Sequence, residues 1–456
     1  MDRDTRGLAS VIVVIGGGWA GCAAAIELAR RGRNVALHDA APVLGGRARG
    51  VIRDGLPLDN GEHLLLGAYV ETLRLAAIVH AGQHASPWIT APLAIRPFSP
   101  QQRNGLSLRA RRVPAPFGLL VGLLGAHGLT WPERIATIRW FARLRAGDFK
   151  CAADATVADI VTNLPVQVRD GLWAPLCVAA LNTPPAQASA QVFLNVLREA
   201  FGGAANAAEM VLPRTGLAAA FPDATARWLR ERGHGVHLSS RLRVVATGDV
   251  RLASASGERR ADAAIVAVGP HQLSAAFDPA LTESDAGVAA ALHHVASFRW
   301  QPIVSVYVGY KGPVELPRGL VRLDDEPGQW VFDRADILRR AAPSQSRPDI
   351  GTLLSVVISA HGAHDTLDHP ALVAAVDRQL RRLRPSLPPL CWSQVIAEKR
   401  ATYSCVPSGT HPAGGRLSGR IYLAGDYTYP AFPATLEAAV RSGVAAARAV
   451  IADTAA

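Results

Sequence analysis

The stretch "VIVVIGGGWAGCAAAIELARRGRNVALHDA", Val11 to Ala40, decides the fold. Val11–Ile15 is an unbroken run of β-branched residues closed by glycine, which predicts a strand buried on both faces of a parallel sheet. Trp19–Arg30 has helical spacing, and Gly32 is placed to stop it. Gly16, Gly18 and Gly21 fall at the junction as G-x-G-x-x-G. They serve a tight turn, a close backbone approach to a pyrophosphate and close packing of helix on strand. The helix start, at Trp19 and Ala20, adds free N–H groups and partial positive charge for the phosphates. A second strand, Asn34–His38, ends at Asp39, where a carboxylate can accept hydrogen bonds from an adenosine ribose. This order predicts an α/β, Rossmann-like domain that binds a dinucleotide.

Directly after the acid comes "APVLGGRARG", with Gly45, Gly46 and Arg47. A second glycine pair and a cation brought to the same phosphates resemble the two-dinucleotide-binding-motif flavoproteins, which bind FAD through a G-G-R/K motif here. Far along the chain, Ile421–Ala424 reads as a short strand ending at Gly425 and Asp426. The resemblance places that pair beside the pyrophosphate and ribityl chain of FAD. A closing helix follows over about Thr435–Ile451, and the tail beyond it is expected to fray. Its start, Ala434 to Leu436, points at the flavin ring and favours negative charge there.

The chain has 456 residues, 49% of them hydrophobic and 19% charged, which suits a globular protein of two or three domains. The opening MDRDTRGLAS lacks the order of an export signal, and five scattered cysteines without a C-x-x-C pair suit a reducing cytoplasm. The net charge of +11 suits an anionic membrane surface. Its arginines are dispersed and not interleaved with aromatics, which argues against nucleic acid. His361, His364 and His369 lack a completing ligand set and read as a solvated loop, as does His293–His294, so no metal site is expected. No Ser–His–Asp arrangement is present.

The first and last segments must share one domain with others inserted. The expected division is 1–95, 211–289 and 396–456 for the flavin-binding domain. The inserts are 96–210, mostly helical, and 290–395, an antiparallel sheet with a helix from Leu367 to Leu383. Within 211–289, "VHLSSRLRVVAT" and "GERRADAAIVAVG" read as a hairpin and a buried strand. Val244 either lies against the adenine or is core. The apolar stretch Val113–Ile135, flanked by Arg109, Arg111 and Arg112, reads as a membrane-dipping helix at 113–131, as the mouth of an apolar tunnel, or as a core helix.

"LDNGEHLLLGAY", Leu58–Tyr69, is similar to the D-N-G-Q-H-L-L-L-G-A-Y signature of the squalene-associated FAD-dependent desaturase-like family, the hydroxysqualene dehydroxylases. "LAGDYTYPAFPATLEAAVRSG" and "KRATYSCVP" resemble two further family segments. The likeness spans most of the chain and is thinnest from about 140 to 290. It implies a flavin domain of the glutathione-reductase and amine-oxidase type with an inserted α+β substrate domain. It also implies reduction of hydroxysqualene to squalene in bacterial hopanoid synthesis. Non-covalent FAD would contact the residues above together with Asn60 and Gly61; the neighbours of Cys405 do not match a covalent attachment pattern. Two positions depart from the signature: Glu62 replaces Gln, and Tyr427 replaces Trp.

Such a reaction needs reduced FAD, an acid for the departing hydroxyl and a dry tunnel for a C30 isoprenoid. Candidate acids are Glu62, His63 and Tyr69, with Asp59 read as structural. No second nicotinamide fingerprint is present, so an unidentified reductase or quinol would supply electrons. The expected location is the cytoplasm, with peripheral contact at the inner face of its membrane. An oxidative desaturase or amine oxidase of the same fold remains open, as does a non-catalytic lipid carrier, against which the intact glycine and acid motifs stand.

Overall fold

A computed structural model describes residues 11–100, 102, 105–111, 113, 117–334 and 349–455. The opening residues read for an export signal, and Arg112 and 114–116 of the apolar stretch, lie outside the described residues.

The first five residues of the quoted stretch form the strand Val11–Ile15 at the heart of a six-stranded sheet. Its neighbours come from distant parts of the chain. The order is Gly235–His237, Asn34–His38, Val11–Ile15, Ala263–Val266, Ile421–Leu423 and Gly415–Ser418. The first five run parallel and the last is antiparallel. Alternating side chains serve two cores, as the two-residue period of a strand requires. Ile12 and Val14 pack with the helix Trp19–Arg30 and the closing helix. Val13 and Ile15 pack with Leu242 and with Val244 and Leu252 of a three-stranded antiparallel sheet. That sheet, Arg243–Ala246, Arg251–Ser254 and Gly257–Arg260, takes the place of the expected single hairpin.

The first helix can lie this close because it is nearly all alanine and glycine on one side. A Cβ on Gly21 would stand 1.8 Å from the Gly16 carbonyl, and one on Gly443 would stand 2.1 Å from the Ala20 carbonyl. The two ends of the chain therefore meet backbone to backbone. The closing helix runs from Leu436 to Ala455, four residues beyond the expected end at Ile451. Its tail is held because the Tyr422 hydroxyl donates to Asp453 Oδ2 at 2.6 Å.

The second part is a seven-stranded sheet in the order Leu390–Tyr403, Trp300–Tyr310, Thr352–Ser359, Trp330–Asp333, Leu320–Arg322, Ala94–Pro97 and Leu108–Arg109. The helix His369–Leu383 covers one face through Leu372, Val376 and Leu380 against Val304, Val306 and Val308. The opposite face carries Ser305, Tyr307, Ser355 and Val357. Helices between Phe117 and Phe201 complete this part.

Two boundaries differ from those read in the sequence. Leu390–Tyr403 is one strand, so no element ends at 395–396. The region expected to be mostly helical also gives the strands Leu108–Arg109 and Met210–Pro213, the latter pairing with Leu65–Leu66 and Trp88–Ala91. No helix among the described residues is long and apolar enough to cross a membrane.

Because the atoms facing Gly443 are backbone, they have little room to yield. Gly443→Ala is expected to destabilise the protein by about 1–3 kcal/mol through overpacking, measured by thermal or denaturant unfolding.

Candidate active site

Trp19 and Ala20, which follow the glycine turn, line a polar groove of about 170 Å³ with Asp39, Gly46, Arg47 and Gly425, while Gly16, Gly18 and Gly21 do not line it. The Gly17 N–H donates to Asp39 Oδ2 at 2.6 Å, and the Ala41 N–H to Oδ1 at 2.7 Å, which fixes the acid at the strand end. The second glycine stretch lies across the first: the Gly45 N–H donates to the Gly17 carbonyl at 2.9 Å. Gly45 and Gly46 have φ of 110° and 60°, the left-handed region that favours glycine. A Cβ on Gly18, by contrast, would meet nothing within 4 Å, because this residue borders open space.

Arg47 closes the floor. Its Nη2 pairs with Asp426, and Nη1 donates to the Ala401 carbonyl at 2.9 Å. Burial alone would lower the guanidinium, but Asp426 holds it above its ordinary value. Asn60 Nδ2 donates to the Arg47 carbonyl at 2.8 Å and to Glu398 Oε2 at 3.1 Å. A helix N-terminus, a fixed acid and a partly buried cation suit a dinucleotide.

The groove shares Trp19, Arg47, Glu398, Asp426 and Ala439 with a cavity of about 350 Å³. Leu176, Phe193 and Leu197 from the helical part, Val357 from the sheet and Phe432 make most of it apolar. The start of the closing helix, Ala434 to Leu436, also lines it. Ala434 has φ of 60°, and the Tyr403 hydroxyl accepts its N–H at 3.0 Å.

Glu62, His63 and Tyr69 all line this cavity but differ in state. They do not share one loop, since the strand Leu65–Leu66 lies between His63 and Tyr69. His63 Nδ1 is 3.0 Å from the Gly61 carbonyl, to which it donates, and burial pushes its pKa down. Its ring is therefore neutral near pH 7, and Nε2 is an acceptor. Burial and nearby Glu437 raise the Tyr69 phenol, which stays protonated. The Glu62 side chain is only 4% exposed and is held by Arg334, whose Nη1 donates to Oε1 at 2.7 Å. Burial raises the Glu62 carboxyl, Asp59 adds to this and Arg334 opposes it. Asp59 meets the same guanidinium at 2.7 Å, and the Tyr307 hydroxyl donates to its carbonyl at 3.0 Å.

Of the residues expected to hold the cofactor, Gly45, Asn60, Gly61, Ala434, Thr435 and Leu436 line the cavity, while Ala20, Asp39, Gly46 and Gly425 line the groove. Trp19, Arg47 and Asp426 line both. Val244 lies in the core with Leu252 and Phe277 and does not line the groove. His364 is buried in a short 3-10 helix rather than solvated. Sequence reading missed Arg334, Glu398 and His271. Nothing local marks Arg334, whose partner Glu62 is 272 positions away. His271 follows the Gly269–Pro270 turn and lines the groove with a buried, unpartnered Nδ1.

Residues 19–451 match the family described as flavin containing amine oxidoreductase. Over 475 aligned residues, the chain is 27% identical to the hydroxysqualene dehydroxylase of Rhodopseudomonas palustris, covering 98% of this chain and 99% of that one. It is also 27% identical to the enzyme of that name from Sinorhizobium fredii, covering 97% and 98%. Among solved structures, an oxidoreductase from Methanosarcina mazei superposes with a TM-score of 0.71 at 16% identity, covering 97% of this chain and 100% of that one. The last comparison supports the fold alone; the family match supports a flavin as the cofactor.

Gly18 separates binding from folding. Gly18→Val, whose side chain would project into open space, is expected to leave the melting temperature of the flavin-free protein nearly unchanged. Flavin retention through purification should fall at least tenfold, read from the visible absorbance per protein.

Proposed function

Because this chain belongs to the flavin-containing amine oxidoreductase family, we propose that it holds FAD non-covalently in the groove and reduces hydroxysqualene to squalene. The observation that carries this reading is the opening of a polar dinucleotide groove into an apolar cavity across Trp19 and Arg47. Reduced FAD, when bound, would supply the hydride that replaces the hydroxyl group as water leaves.

The chain's own residues answer the other needs. The apolar walls keep water from a short-lived allylic cation. The start of the closing helix and Arg47 favour negative charge at the flavin site. The protonated Tyr69 phenol would give its proton to the hydroxyl as that group departs as water, regaining one from solvent after product leaves, and His63 Nε2 can accept a hydrogen bond from the substrate. Residues up to about 93, 211–289 and those after the strand Leu390–Tyr403 would form the flavin-binding part, and the segments between them the substrate part. Non-covalent binding is supported by Cys405, whose thiol burial pushes up to about 12, so it is no ready nucleophile.

A long isoprenoid partitions into bilayers, and one face of the protein suits a bilayer. Phe117, Val121 and Leu124 of one helix and Trp131 and Ile135 of the next are exposed, with Phe117 at 56% and Trp131 at 62%. Arg109 and Arg111 are exposed beside them, and the Arg134 guanidinium lies 4.8 Å above the Trp131 ring. We assign this face to an anionic membrane surface. The protein should co-sediment with anionic vesicles, less with neutral ones, and Phe117→Ser/Trp131→Ser should lower vesicle binding at least tenfold. Equal binding by the double variant would remove the assignment.

The reaction is tested by reducing the purified protein without oxygen and adding hydroxysqualene. Flavin reoxidation with squalene formed in equal amount is expected. A flavin that stays reduced, together with oxidation of polyenes by the oxidised protein, would instead identify an oxidative desaturase.

A further inference from the structure

Beside the cavity lies a charge cluster that the proposed reaction does not employ. Arg334, at the end of the strand Trp330–Asp333, has a side chain only 2% exposed. It donates to Asp59 Oδ2 and Glu62 Oε1, each at 2.7 Å, so one guanidinium serves two carboxyl groups. The Tyr307 phenol faces the cluster from the sheet, and its hydroxyl is already given to the Asp59 carbonyl. On the loop itself, the neighbouring His63 is bonded to Gly61. The charged groups that act most strongly on Glu62 are Arg334, which favours its ionised form, and Asp59, which disfavours it.

Two ionised carboxylates here would leave one negative charge buried and unmatched, which is costly unless a proton removes it. The two carboxyl groups are not equivalent. Asp59 Oδ1 also accepts the Leu217 N–H at 3.1 Å, so both of its oxygens have donors. Glu62 Oε2 is buried without a partner among the described residues, and the Ser355 hydroxyl, likewise buried and unpaired, lies beside that carboxyl. The Ser355 hydroxyl can donate to an anionic Oε2, which favours the ionised form, or accept from a protonated one, so the unmatched buried charge decides between them.

We propose that the Asp59–Arg334–Glu62 triad carries one proton at neutral pH, on Glu62 Oε2. Arg334 is then a positioning residue, pinning the cavity-lining loop Asp59–His63 to the sheet through an electrically neutral cluster. Glu62 in this state is a neutral hydrogen-bond donor, the nearest a glutamate comes to the amide of the Gln in the resembled signature. As pH rises past its folded-state pKa, the proton passes to solvent and a net negative charge appears inside the protein. Only the consequence for the flavin rests on the reading of the groove given above.

The test compares the holoprotein with its isosteric variant Glu62→Gln. A carboxyl whose folded pKa is raised lends stability that is complete below the unfolded value, about 4.3, and is lost as pH rises to the folded value. Relative to the variant, the wild-type folding constant is expected to fall about tenfold per pH unit from there through pH 7. This is read as a melting-temperature difference that keeps widening. A difference that stops widening before pH 6 would mean an ionised Glu62 and overturn the proposal.

Infrared difference spectra give a measurement that needs no variant to fold. Wild type at pH 7 should show the carbonyl stretch of a protonated buried carboxyl, lost on alkaline titration. Absence of that band at pH 7 overturns the proposal. Finally, the flavin midpoint potential at pH 7 should be the same in wild type and Glu62→Gln. A higher potential in the variant would show that a negative charge had been removed, and would also overturn it. Failure to convert hydroxysqualene leaves the melting and infrared results standing, so the two ideas fail separately.

Discussion

Everything in this protein depends on how closely its two ends approach. The Ala20 carbonyl and the Gly443 backbone touch with no space for a methyl group, and Gly21 packs as tightly on Gly16. That contact aligns the strand Ile421–Leu423 with the central sheet and carries Asp426 to Arg47. Without it, the glycine turn would be half a binding site: a helix N-terminus and an acid, but no far wall and no second carboxylate. Dispersion between small residues and backbone, rather than large apolar side chains, closes the site.

The opening stretch was legible because each of its requirements is local. Strand Val11–Ile15, helix Trp19–Arg30 and strand Asn34–His38 have the bounds that β-branching, helical spacing and glycine predict. Gly45 and Gly46 were legible for the same reason, since only their positive φ permits that turn. The cavity was legible only as a need of a long isoprenoid, not as a set of residues: Phe193, Val357 and Phe432 come from three separate regions. Arg334 was invisible because an arginine within "FDRADILRR" has the look of a solvated charge until folding buries it against Asp59 and Glu62. The closing helix outlasts its apolar pattern because a hydrogen bond from Tyr422 holds Asp453, a tertiary effect that no window of sequence contains.

Charge gives a second view of the same division. A net +11 suggests a uniformly basic surface, yet several arginines are internal struts. Arg47 ties the groove to Asp426, and Arg441 joins Glu437, whose carboxylate accepts the N–H groups of Glu71 and Thr72 at the start of the helix Val70–Val79. A guanidinium spans such gaps well because its fork holds two partners at once. Overall charge therefore overstates how much of this arginine is offered to outside partners.

The discontinuous central sheet also sets a timetable. Its third, fourth and fifth strands in spatial order are Val11–Ile15, Ala263–Val266 and Ile421–Leu423, so neighbours in space are made hundreds of residues apart. On the ribosome, the glycine turn waits, with its flank open, until the strand Ile421–Leu423 has been synthesised. Parallel pairing over such separations is slow to form and exposes apolar strand edges meanwhile. The groove is therefore complete only once the closing helix has formed, so cofactor capture follows that helix rather than the glycine turn.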